Sequence, residues 1–153
     1  SGELDAAVLA AAGLRRLGHA GRIAELLEPD ACVPAAGQGA LGVETRADDA
    51  EVAGLVRRAV HHEDTDRRVA AERGFLAVLG GGCQTPIAAH ARLAGDELHL
   101  VALVGRPDGT EIIRGERRGP AAGAAAIGRA LGEELIARGA DRILRDAAGG
   151  PPA

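Results

Sequence analysis

Chemistry in this chain is best sought first at Gly80-Gly81-Gly82-Cys83-Gln84-Thr85-Pro86, where a thiol follows three consecutive glycines. Without β-carbons the backbone can take positive φ, and a bulky group can approach the sulfur closely. Cysteine is usually a buried and inert residue type. On a polar glycine loop it becomes a candidate nucleophile or attachment point. The competing reading is a helix C-cap followed by a turn that contains a cysteine. These residues alone leave both readings open.

Four other groupings have residue types suited to chemistry. Gly37-Gln38-Gly39-Ala40-Leu41-Gly42 matches G-x-G-x-x-G. Dinucleotide binding needs a strand before that pattern and a helix after it, whereas here a proline loop precedes and an alternating stretch follows. A crossover loop is the better reading, with a backbone nest for an anion as the alternative. His61-His62-Glu63-Asp64 has metal-ligand residue types. Adjacent helical residues diverge, however, and no H-E-x-x-H spacing is present, so a solvated helix junction is expected and no metal. Arg15-Arg16 closes a short helix: either the pair complements the helix dipole or its planar guanidinium groups bind carboxylates. Cys32 reads as a small hydrophobe opening a short strand.

Composition narrows the classes. The chain has 153 residues, 46% of them apolar, with Phe75 as its one aromatic residue and no lysine among its 18 basic residues. Its core must therefore be aliphatic, and base stacking on aromatic side chains is excluded. A net charge of −4 speaks against general nucleic-acid binding. No apolar run reaches membrane-span length, and the two cysteines do not form a disulfide framework. A soluble cytoplasmic protein is the expectation.

These residues must be positioned by a mixed set of elements. Residues 4–10 read as a strand, 11–17 as a short helix stopped by Gly18, and Arg22 to Leu27 as a helical turn broken by Pro29. Short strands are expected at 31–34 and, by alternation of Leu41, Val43 and Thr45, near 41–46. The continuous apolar stretch at 4–10 calls for a parallel sheet that these residues cannot complete, which points to an absent N-terminal part. Asp48-Asp49 opens a helix carrying Val52, Leu55, Val56 and Ala59. Asp64 or Thr65 caps the next, which buries Val69, Leu76 and Leu79 with Phe75 beside them and ends at Gly80. Three alternating strands follow: one from Ile87 to Leu93, one from Leu98 to Val104 after a Gly95-Asp96 turn, and one over 111–118 after Pro107-Asp108-Gly109. Pro120 starts a last helix with Ala124, Ile127, Leu131 and Leu135 on its apolar stripe, ended by Gly139.

The fold class is therefore α+β: a C-terminal three-stranded antiparallel sheet covered on one face by helices, preceded by an α/β fragment. The expected divisions are 1–35, a piece of an α/β domain; 36–50, a crossover loop and strand; 51–148, an α+β domain; and 149–153, a disordered tail.

Several segments in order resemble porphobilinogen deaminase: Ala11-Ala12-Gly13-Leu14-Arg15-Arg16-Leu17-Gly18, Pro34 to Glu44, Ala71-Glu72-Arg73-Gly74-Phe75-Leu76, Leu79 to Ile87, and Ala102-Leu103-Val104-Gly105 with Pro107-Asp108-Gly109. That family joins porphobilinogen units head to tail into hydroxymethylbilane with loss of ammonia. The resemblance implies a dipyrromethane cofactor held by a thioether at Cys83, beside Gly82. It matches Arg16 to a family arginine that meets substrate carboxylates, and Gln38 and Gly39 to a loop near the active cleft. Residues 1–35 would close the second of three domains, 36–50 would return to the first, and 51–148 would be the third. The family's catalytic aspartate and its neighbouring lysine have no counterpart here, so no catalytic residue is assigned and the isolated chain is expected to be inactive. Partners would be porphobilinogen, the growing pyrrole chain and the missing N-terminal domains, in an enzyme that is monomeric when complete. Thr85 and Ala88 stand where the family more often has Val and Gly. The alternative is a non-catalytic α+β small-ligand-binding or structural module.

Overall fold

The structure, a computed structural model, describes residues 4–80 and 85–149. The chain divides into two compact units, 1–32 and 33–153.

In the first unit, helix α1 spans Ala11–Arg16. Gly18, at φ 75°, ends it, and the His19 N–H donates to the Leu14 carbonyl at 2.8 Å. Only a 3-10 turn, Ala20–Arg22, follows. The helical turn expected from Arg22 to Leu27 does not form, because so short a segment with no packed face cannot repay nucleation. Nor is there a strand at 4–10: Leu4, Val8 and Leu9 are 64–77% exposed. An extended segment becomes a strand only when a neighbour pairs its backbone groups, and the described residues of this unit supply none. Residues 31–34 are not a strand either, since the Ala31 and Cys32 N–H groups both turn back to the Glu28 carbonyl.

The second unit begins with an irregular segment, and the strand expected at 41–46 is absent for the same want of a partner. Helix α2, Ala50–Val60, starts at the expected place, with Asp49 Oδ1 accepting the Val52 N–H at 3.0 Å. None of its residues is buried; Val52 and Leu55 remain exposed.

Helix α3, Glu63–Leu79, is capped by His62 rather than by Asp64 or Thr65. The His62 ring nitrogen accepts the Thr65 N–H, which leaves Glu63, Asp64 and Asp66 in the first turn, where carboxylates favour the helix dipole. Gly80 ends the helix in the left-handed conformation, as expected. Phe75 is fully buried at the centre of its packed face, whereas Val69, Leu76 and Leu79 are only partly buried.

Strands β1 (Ile87–Ala94), β2 (Glu97–Gly105) and β3 (Ile112–Pro120) form an antiparallel meander in that order. Ala91 faces Leu100, and Val104 faces Ile113. Leu98, Leu100, Ala102 and Val104 have no exposed surface, as their alternation requires. Val101, on the opposite face, is also buried.

Pro120 ends β3 and leads through a 3-10 turn, Ala121–Gly123, into α4, Ala124–Ala137. Leu131 and Leu135 are fully buried and Ile127 partly so. Helices α3 and α4 lie in close contact because glycines line the crossing. A β-carbon on Gly128 would stand 2.7 Å from the Phe75 nitrogen, and one on Gly132 would stand 2.9 Å from the Val78 β-carbon. After Gly139 the chain forms α5, Ala140–Gly149, which buries Ala140 and Ile143. Gly149 therefore belongs to a helix rather than to a tail, and the rest of the expected 149–153 tail lies outside the described residues.

Candidate functional site

Helix α3 links two segments of interest. Its C-cap, Gly80, is the first of the three consecutive glycines, and the described residues resume at Thr85, just before β1. The cofactor-site assignments Gly82 and Cys83 lie outside the described residues.

Two turns back along α3 sits Glu72, whose surface is only 6% exposed. Burying a carboxylate is costly unless its oxygens are hydrogen-bonded. One oxygen accepts the Ala91 N–H at 2.8 Å, and the other accepts the Gly37 N–H at 2.7 Å. The Ala89 N–H, two residues earlier on the same edge of β1, donates to the Pro34 carbonyl at 3.1 Å. At Ala89 and Ala91 the outer edge of β1 is thus occupied by Pro34 and the Glu72 carboxylate, so these two N–H groups do not stand open for another chain.

The Gly37-Gln38-Gly39 loop is shaped for this contact. Gly37 and Gly39 have φ of 74° and 80°, a region closed to most side-chain-bearing residues. The Gln38 N–H donates to Ala35, and the Ala40 N–H donates to Gly37. No helix follows, so the nucleotide-binding reading of this glycine pattern fails on geometry. Of the loop's N–H groups, that of Gly37 goes to a carboxylate, the chain's own Glu72, while those of Gln38 and Ala40 stay within the loop.

Gln38 and Gly39 are exposed at the rim of a recess of about 180 Å³, which Arg68, Glu72 and His90 also line. The His90 Nδ1 lies 4.0 Å from the Glu72 carboxylate. A larger groove of about 860 Å³ runs between residues 36–45, α2 and α3, with Leu41, Val43, Val56, Val60, Val69 and Leu76 as apolar lining.

Arg16 lies in the last turn of α1, exposed like Arg15, and among the described residues no ion pair engages either. Other arginines are engaged: Arg117 with Glu134, Arg118 with Glu97, and Arg67 with Glu63. Cys32 is exposed on a turn, which corrects the expectation of a buried small hydrophobe opening a strand.

His61 and His62 serve the junction between α2 and α3. His62 caps α3, while His61 Nε2 lies 3.1 Å from Glu63. That contact, aided by Arg67, holds the Glu63 carboxyl below its ordinary range. Among the described residues no group of three or more His, Cys, Asp or Glu side chains is placed to hold a metal ion.

Sequence reasoning gave Glu72 no role of its own. The available signal was a lone acidic residue on the inward face of a helix, between Ala71 and Phe75.

Comparison with known families adds two matches. Residues 1–54 match the model described as "Porphobilinogen deaminase, dipyromethane cofactor binding domain". Residues 67–137 match "Porphobilinogen deaminase, C-terminal domain". The first span holds Arg16, Gln38 and Gly39; the second holds Glu72 and Cys83. The Glu72–Gly37 hydrogen bond therefore joins the two matched regions. An α+β unit carrying these signatures defines a transferase of tetrapyrrole biosynthesis. The chain belongs to the porphobilinogen deaminase family, also called hydroxymethylbilane synthase.

Proposed function

We propose that this chain is the part of hydroxymethylbilane synthase that carries a dipyrromethane cofactor through a thioether at Cys83, in the polymerisation of porphobilinogen with release of ammonia. The observation that carries this reading is the paired family match, with Cys83 inside the matched C-terminal domain. The described residues suit such a group. The exposed guanidinium of Arg16 is the right chemistry for the acetate and propionate substituents of a pyrrole chain, since its planar fork pairs two carboxylate oxygens. Gln38, exposed on a loop fixed at both ends of its turn, offers an amide to the same chain. When bound, the cofactor supplies the pyrrole carbon to which substrate units are added. Cys83 holds that chain without being consumed.

The domain scheme 1–35, 36–50 and 51–148 belongs to the same proposal, and the division at Cys32/Val33 supports its first boundary. Further domains as partners would cover the exposed Leu4, Val8, Leu9 and Leu41, which find no apolar cover here. A cytoplasmic setting suits the free thiol of Cys32. Alone, the 153 residues are expected to turn over no porphobilinogen, because the family's aspartate and lysine have no counterpart among them.

Intact mass of the complete enzyme tests the assignment. A dipyrromethane increment is expected, lost on Cys83→Ser. An increment that survives this substitution refutes it. Ammonia release from the isolated chain would instead refute its expected inactivity.

A further inference from the structure

We infer that Glu72 is a positioning residue that sets the distance between the Gly37-Gln38-Gly39 loop and the end of α3 that leads to Cys83. The inference rests on the function proposed above for Cys83 and Gln38. Its geometric basis is independent of that function.

Three observations carry it. Glu72 is almost fully buried, yet neither oxygen bonds another side chain as its main partner: both accept backbone N–H groups, from Gly37 and Ala91. Hydrogen bonds to an ionised acceptor are shorter and stronger than neutral ones, and backbone donors cannot rotate away. Next, Gly37 and Gly39 both hold positive φ, so the loop is bent to present its N–H at that oxygen. Finally, Glu72 and Gly80 stand on one uninterrupted helix and its cap. At a rise of about 1.5 Å per residue, a rigid rod of roughly 12 Å separates the clamp from the start of the thiol segment. The carboxylate at mid-helix and the glycine cap at its end make the second half of α3 a spacer between the Gly37 loop and Gly80.

The packing explains why the residue must be Glu. Its side chain comes from α3, which covers the sheet, and reaches the outer edge of β1 and the loop beyond it. A glutamine would fill the same volume but place an NH2 against one of the two backbone donors. That leaves a donor facing a donor in a buried site.

The test compares wild type with Glu72→Gln. In the 153-residue chain, amide hydrogen exchange at Gly37 is expected to quicken roughly tenfold to a hundredfold, while Phe75 and Leu100 exchange as in wild type. In the complete enzyme the variant is expected to keep its dipyrromethane increment and KM. Its kcat should fall roughly tenfold to a hundredfold, because misplacing a positioning group costs orientation rather than binding. Unchanged exchange at Gly37 overturns the inference. So does uniform quickening across α3, α4 and the sheet, which would make Glu72 a plain core residue. Selective quickening with unaltered kcat also overturns it. Should the variant fail to fold, wild type decides: a Gly37 amide that exchanges at the rate of an open loop has no clamp. A wild-type enzyme with no cofactor increment sinks the proposed function instead, and leaves the exchange result to judge the clamp.

Discussion

Arg106, at the end of β2, donates from Nη2 to the Asp146 carboxylate on α5 at 2.6 Å, across 40 positions of sequence. Arg106 also reaches Glu111 at 3.2 Å, and Glu111 accepts from Arg142. The β2–β3 hairpin is thereby tied to a helix that the sequence reading did not assign. Buried Ile143 supplies the apolar part of the same attachment.

This network makes the docking of α5 sensitive to acid. Glu111 is held below its ordinary value of 4.5, chiefly by its hydrogen bond from Arg142. Asp141 is held below 3.8, chiefly by Arg145 on the same helix, and steadies α5 itself. A carboxyl whose folded pKa is depressed stabilises the fold above its unfolded pKa, and that contribution is lost as pH falls through the folded value. Below pH 4.5, therefore, α5 amides are expected to lose exchange protection before those of β2. Glu111→Gln should shift that loss to neutral pH. Simultaneous loss in α5 and β2 would count against the idea. Because the pairs remain partly open to solvent, high salt should weaken the same attachment.

Gly128→Ala is expected to destabilise the second unit by about 1–3 kcal/mol, measured by urea unfolding. The new methyl would meet the backbone of α3 at Ala71 and Phe75. The sign is diagnostic, because on an uncrowded helix the same change stabilises by about 0.5–1 kcal/mol.

Phe75→Ala is expected to cost about 3–5 kcal/mol in the same assay. Phe75 is the chain's one aromatic residue and is fully buried against the α4 crossing. Phe75→Leu should recover most of that loss, since it leaves the smaller cavity.

Asp49→Ala should loosen α2 by about 1 kcal/mol through loss of its cap on Val52. Because α2 buries no residue, exchange should quicken within Ala50–Val60 while the sheet is unaffected. A matching fall in global stability would show that α2 is part of the core.

The sheet was legible because alternation is a local property. Leu98, Leu100, Ala102 and Val104 are apolar at period two, and each is buried. The turn at Pro107-Asp108-Gly109 and the caps at Asp49 and Gly80 follow from the chemistry of those residues alone. α5 was missed: the glycine at 139 drew the reading to a stop, although Ala140, Ile143, Leu144 and Ala147 carry helical spacing beyond it. The segments at 4–10, 31–34 and 41–46 misled for one physical reason. A local apolar pattern, continuous at 4–10 and alternating at 41–46, shows what a segment would do beside a pairing partner, and it does not supply that partner.

By itself, then, the sequence determined the family, the α+β class, the meander and the residue types able to tether and to bind carboxylates. Those depend on local periodicity, turn chemistry and motifs read in order. Only the tertiary structure decided that the Gly37 N–H meets the Glu72 carboxylate. That contact spans 35 residues and exists because α3, the β1 edge and the loop converge. No spacing in the chain encodes it; burial made the carboxylate seek two backbone donors, and the fold brought them within reach.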